Sequence, residues 1–101
     1  MRVTISHQHF DGNFPDGFNN GAWIDLLRTE YADIVHNVYP AATVTVVIDR
    51  QAATGARTPV TVDADGSGSL PSSLVAAIEC AEDELFNAHG SDDRFYTTEN
   101  N

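Results

Sequence analysis

Lysine is absent from this 101-residue chain, and five arginines face fifteen Asp and Glu side chains, for a net charge of −10. Proteins that grip a phosphate backbone neutralise it with Lys and Arg, so direct nucleic-acid binding is not expected. Cysteine is nearly absent too. Cys80 is the only one, which excludes an intrachain disulfide and makes a reducing, cytoplasmic compartment the expectation. Its neighbours are acids where a reactive thiol would have cations, so it reads as buried and inert. No apolar run approaches the roughly 20 residues of a membrane span. Met1 is followed by a strand-like segment, where a leader would show a basic stretch and then a long apolar one, so no membrane partner is expected. The chain also lacks a serine elbow, a glycine-rich phosphate loop and any cysteine–histidine pair at a recognisable spacing. No catalytic residue or cofactor is assigned, and the expectation is a protein that is not an enzyme.

What remains is unevenly distributed. From residue 58 onward nine acids face Arg94 alone, a net of −8, whereas residues 1–57 carry six acids and four arginines, a net of −2. A field of one sign concentrated in half a chain steers basic surfaces toward it. The class of partner this implies is a basic nucleic-acid-binding protein. With 42% hydrophobic residues in periodic blocks, the chain reads as one domain, 1–101, a monomer or weak dimer.

Val3 and Ile5 alternate with Thr4 and Ser6, which suits a first strand over 2–10 with one buried face. Residues 11–21 hold Asp-Gly, Pro-Asp-Gly and Asn-Asn-Gly, turn formers that predict a loop with no regular element. A helix is predicted over 22–39, capped by Asn20 and stopped by Pro40. Its apolar face is Trp23, Leu27, Ile34 and Val38, joined by Ile24, Tyr31 and Val35. Val44, Val46 and Ile48 mark a strand over 43–49, and a short return strand over 59–63 carries Pro59 as a sign of a sheet edge. After a Gly/Ser-rich link at 65–69, a second helix runs from Pro71 to about Ala88, stopped by Gly90, with Leu74, Ile78, Ala81 and Leu85 as its stripe. The order β-α-β-β-α predicts an α+β two-layer sandwich. In it a right-handed crossover, then a hairpin, would leave both helices on one face of a three-stranded mixed sheet. A flexible acidic tail is expected over 96–101.

At 100° per residue Glu79 and Asp83 fall on the solvent side of the second helix, with Glu82 and Glu84 on its flanks. Carboxylates four residues apart rise about 6 Å, close to the spacing of phosphates along a strand. Such a ridge would act as a DNA mimic. An ordinary solvated face is the plainer alternative, although such a face normally mixes both signs. The opening Met1-Arg2-Val3-Thr4-Ile5 and the helix closing on Val38-Tyr39-Pro40 before a strand are two short motifs; a third is the acidic last helix followed by Asp92-Asp93-Arg94-Phe95. Together they resemble the DinI family of DNA-damage-inducible proteins of the SOS response. The resemblance implies a strand-helix-strand-strand-helix fold whose acidic last helix engages the RecA recombinase filament as single-stranded DNA would. By position, Glu79, Glu82, Asp83, Glu84, Asp92 and Asp93 would form that contact. The same physical requirement is met by phage inhibitors of host-defence nuclease complexes, including anti-CRISPR proteins, and the two partners stay open.

Phe10, Phe14 and Phe18 recur every fourth residue in the loop. Aromatic anchors often dominate interfaces, so Phe14 and Phe18 are candidate partner contacts, the alternative being that two of the three close a small core. An exposed Phe14/Phe18 patch would instead suit a structural subunit of a phage or plasmid assembly. Two metal readings form the alternative function. Asp63 and Asp65 open a stretch resembling the first eight positions of a calcium loop, with Pro71 and Leu74 at the ninth and twelfth. His7 and His9, two apart on a strand, share a face and are candidate zinc ligands lacking an evident third; otherwise they are partly exposed polar histidines.

Overall fold

A computed structural model describes residues 1–56, 58–65, 70–92 and 95–96. Its elements are β1 (Arg2–Phe10), a 3-10 turn at Asp11–Asn13, α1 (Asn20–Val38), β2 (Thr43–Gln51), β3 (Thr61–Asp65) and α2 (Ser72–His89). They form the two-layer α+β sandwich expected, a three-stranded mixed sheet under two helices. The expected acidic tail over 96–101 lies outside the described residues except for Tyr96, and most of the Gly/Ser link lies outside them too.

The strand order departs from the expected hairpin. It is β2-β1-β3, with β1 paired parallel to β2 and antiparallel to β3. β1 is therefore the middle strand, and its inward residues Val3, Ile5, His7 and His9 are all buried. Val44, Val46 and Ile48 on the border strand β2 are only half-buried, since among the described residues no strand pairs with its outer side. Residues 52–60 carry the chain from one border of the sheet to the other, a span that a tight hairpin would not need. Pairing with β3 ends at Ser6, so among the described residues no strand pairs with that side of β1 from His7 onward.

Both helices pack on the inward face. α1 buries Trp23, Ile24, Leu27, Tyr31 and Val35, while α2 buries Leu74, Ile78, Ala81 and Leu85. Each fully buried aliphatic side chain in this set contributes roughly 1.5–3 kcal/mol from removal of apolar surface from water. Val38, expected on the apolar face of α1, is exposed in its last turn. The cap of α1 is Asn19, whose side-chain Oδ1 accepts from the Ala22 backbone N–H at 3.1 Å, one residue earlier than expected. That shift leaves the Asn20 amide for another use.

The loop after β1 is better ordered than its turn residues suggest. Asp11–Asn13 forms one 3-10 turn and is tied to residues 50–55. Asn13 Nδ2 donates to the Gly55 carbonyl at 2.9 Å, and the Gly55 N–H returns to Asn13 Oδ1 at 3.2 Å. Arg50 donates to both carboxylate oxygens of Asp11 at 2.9 to 3.1 Å, and these hydrogen bonds hold its guanidinium pKa above the ordinary value. Gly55 is required by close approach, since a Cβ there would run into the Phe10 ring. Gly90 likewise ends α2 in right-handed conformation, and a Cβ there would sit 2.5 Å from the Phe86 carbonyl oxygen.

Phe18 closes the core, as in the reading that two of the three rings do so, and is not an exposed anchor. It is 7% exposed, stacked on Phe14 at 5.0 Å and on Phe95 at 5.5 Å between ring centroids, and edge-on to Trp23. Phe14 is half-buried beside His9 and Phe86. The phenylalanine loop thus closes the end of the core, burying aromatic area that a two-layer domain of this size has few other places to put. Cys80 is also corrected. It is exposed, because its position on α2 points away from the buried stripe.

Candidate functional site

Two of the sequence-derived candidates meet at the open border of β1, and one was misplaced. His7 and His9 share the parity of Val3 and Ile5 and so point under the helices, 7% and 1% exposed. This corrects the reading of partly exposed polar histidines. Opposite them stands Glu82, expected as a flank of an outward ridge. Its side chain is 13% exposed and turned inward, its Oε2 accepting the indole Nε1–H of Trp23 at 3.0 Å and its Oε1 lying 3.7 Å from His7 Nε2. A carboxylate only some 70° from the centre of a buried stripe reaches the interior when a polar partner waits there.

Each histidine is held from behind. The Tyr31 hydroxyl on α1 is 2.8 Å from His7 Nδ1. His9 Nε2 is 2.8 Å from Asn20 Oδ1 and 3.4 Å from Asp11 Oδ1. Asn20 Nδ2 donates to the Phe18 carbonyl at 3.2 Å, which fixes the amide so that its oxygen faces His9. An amide oxygen only accepts, so His9 Nε2 carries the proton. In the neutral ring Nδ1 then carries the bare lone pair, buried and without a hydrogen-bond partner. The nitrogen and oxygen atoms that His7, His9 and Glu82 offer lie within 4.8 Å of one another.

Two clefts flank this cluster. One, of about 490 Å³, is lined by His9, Phe10, Phe14, Glu82, Asp83 and Phe86 among others, and the second, of about 400 Å³, by His7, Pro59, Glu79, Glu82 and Asp83 among others. Among the described residues neither lining includes an arginine. They exist because β3 stops short, leaving the β1 border and α2 with a gap between them.

Of the six carboxylates expected to form one outward row, the structure exposes Glu79, Asp83 and Glu84 on α2. Asp92 lies beyond the helix and pairs with His89 Nδ1 at 2.9 Å, and Asp93 lies outside the described residues. Glu79 and Asp83 stand one turn apart, with Cys80 and Glu84 further round the same exposed side. The continuous ridge is thereby reduced to a shorter acidic face. Asp63 and Asp65 lie on β3, exposed on the sheet face away from the helices, level with Thr4 and Arg2. Leu74, at the twelfth position of the calcium-loop pattern, is buried in the core, and the middle of that pattern lies outside the described residues.

Among the described residues no helix is long and apolar enough to cross a membrane. No family model, curated protein or solved structure matches this chain.

Proposed function

We propose that the protein is a non-enzymatic acidic module that binds a basic nucleic-acid-binding protein through the outer side of α2 and the cleft beside it. The observation that carries this reading is the lining of the larger cleft. It joins Asp83 to the rings of Phe10, Phe14 and Phe86, with Glu79 one turn away on the same helix. A carboxylate beside aromatic faces suits an arginine, whose planar cation bonds the one and stacks on the other. Phe86, 39% exposed, supplies the apolar part of such a contact.

In this reading the protein resembles a nucleic acid in charge and not in detailed shape, since Glu79 and Asp83 supply one phosphate-like step of about 6 Å and not a run of them. A RecA-type recombinase, as the resemblance to DinI proteins implies, and the nucleic-acid channel of a host-defence nuclease complex are the partners of this chemistry. The module would act by occupying the groove that nucleic acid uses.

The test is capture of partners from a host lysate at low and high salt, followed by affinity measurement with the purified partner. Binding is expected to weaken steeply with salt and to fall at least tenfold in the triple variant Glu79→Gln/Asp83→Asn/Glu84→Gln. Alkylating the exposed Cys80 with a bulky maleimide should block it as well. A triple variant that keeps full affinity ends the proposal.

A further inference from the structure

We infer that His7, His9 and Glu82 form a binding site for a zinc-class divalent transition-metal ion, independent of the outward acids Glu79 and Asp83. The first support is convergence: two imidazole nitrogens and a carboxylate oxygen, from the middle strand and from α2, lie within 4.8 Å of one another. Three atoms at that mutual distance surround a centre about 2.8 Å from each, so inward shifts of roughly 0.7 Å reach zinc–ligand lengths of about 2.0–2.2 Å. The three sit on β1 and α2, and Glu82 needs only side-chain rotation to follow.

The second support is the tautomer of His9, which rests on a different observation. Asn20, itself oriented by the Phe18 carbonyl, claims the Nε2 proton and leaves the Nδ1 lone pair buried with no donor to receive. A 1% exposed imidazole with an unanswered lone pair loses its hydration and gains nothing in return, unless a Lewis acid meets it. Metal-ligating histidines are typically held through the other ring nitrogen in this manner. At His7 the Tyr31 hydroxyl lies 2.8 Å from Nδ1, and Nε2 faces Glu82 Oε1 at 3.7 Å.

The donor set selects the ion. Two imidazoles and one carboxylate suit zinc and its neighbours and suit calcium or magnesium poorly, since those ions take oxygen ligands. Three protein ligands to a four-coordinate ion leave the fourth coordination position for water or a ligand.

Metal-free protein titrated with zinc should bind one equivalent and unfold at higher temperature, and cobalt should give the visible absorption of a tetrahedral nitrogen–oxygen site. Nitrogen-15 spectra of the imidazoles should show His9 protonated at Nε2 before addition and its Nδ1 signal moving on addition. Glu82→Gln, which keeps the volume and an acceptor for Trp23, should weaken zinc at least tenfold. Asn20→Ala should weaken it about 10–100-fold by freeing the His9 ring. His89→Ala, outside the cluster, should change nothing. Absence of stoichiometric zinc binding overturns the inference. So does zinc that moves only the His36 and His89 signals, or that binds the Glu82→Gln protein as tightly as the parent.

Discussion

Replacing Trp23 by Phe removes one hydrogen-bond donor from the interior while keeping an aromatic ring in place. In the native protein the indole N–H donates at 3.0 Å to Glu82 Oε2, and the Glu82 side chain is only 13% exposed, so water offers that oxygen a poor substitute. A hydrogen bond to a charged acceptor is worth about 1.5–3 kcal/mol. The space vacated by the smaller ring adds on the order of 1 kcal/mol at a site with no solvent exposure. A total of about 3 kcal/mol corresponds to a melting point lower by roughly 12 to 24 °C for a domain near this size. Urea unfolding of the parent, Trp23→Phe, Glu82→Ala and the double variant would separate the two contributions. If Glu82 is an interior acceptor, the sum of the two single losses exceeds the double loss by at least about 1 kcal/mol, because each single deletion already breaks the bond the pair shares. Strict additivity, or a Trp23→Phe cost below about 1 kcal/mol, would refute the inward placement of Glu82 and return it to the solvent side of α2.

Phe18→Ala should cost about 3–5 kcal/mol by urea unfolding, as a buried ring does, while the partly exposed Phe86→Ala costs clearly less. Gly55→Ala should destabilise by about 1–3 kcal/mol through its collision with the Phe10 ring, read from the shift in the unfolding midpoint with unchanged slope. Cys80 should react with a thiol reagent in the native protein at a rate close to that of the unfolded chain, which stopped-flow absorbance would show. Arg50→Gln should lower stability by less than about 1 kcal/mol, because the Arg50 side chain is half exposed and the pair is screened. Its pH sign follows from the raised guanidinium pKa. The contribution is present throughout the range below the ordinary arginine value and is lost only as pH climbs through the raised one, so titration to mildly alkaline pH should leave the difference between the two proteins unchanged.

The element order was legible in the sequence because each element carries an undisguised period, as in Val3/Ile5 and Leu74/Ile78/Leu85. The strand order was not. Sequential strands pair often enough that a hairpin is the default, and only the depth of burial along β1 reveals that it lies between the other two. His7 and His9 were assigned by residue type, although their parity with Val3 and Ile5 placed them in the interior, and that parity was the available signal. The inward turn of Glu82 is not legible in the sequence for a different reason. Its angular position is marginal, and the inward turn depends on Trp23, 59 residues away in sequence, which no local pattern reports. Asn20 escaped as a positioning group because it was cast as the helix cap that Asn19 turned out to be.

The nine-residue strand β2 runs along the rim of the sheet, rich in β-branched side chains and with Val47 half bare. A rim of that kind offers its peptide groups to any neighbouring molecule that arrives in extended form. The guanidinium of Arg28 reaches down from α1 to the Val46 carbonyl at 2.7 Å, and so sits as a stopper on the ladder that a second chain would try to join. The five arginines are therefore more than a minority beside fifteen acids; one of them occupies an acceptor that a second strand would need.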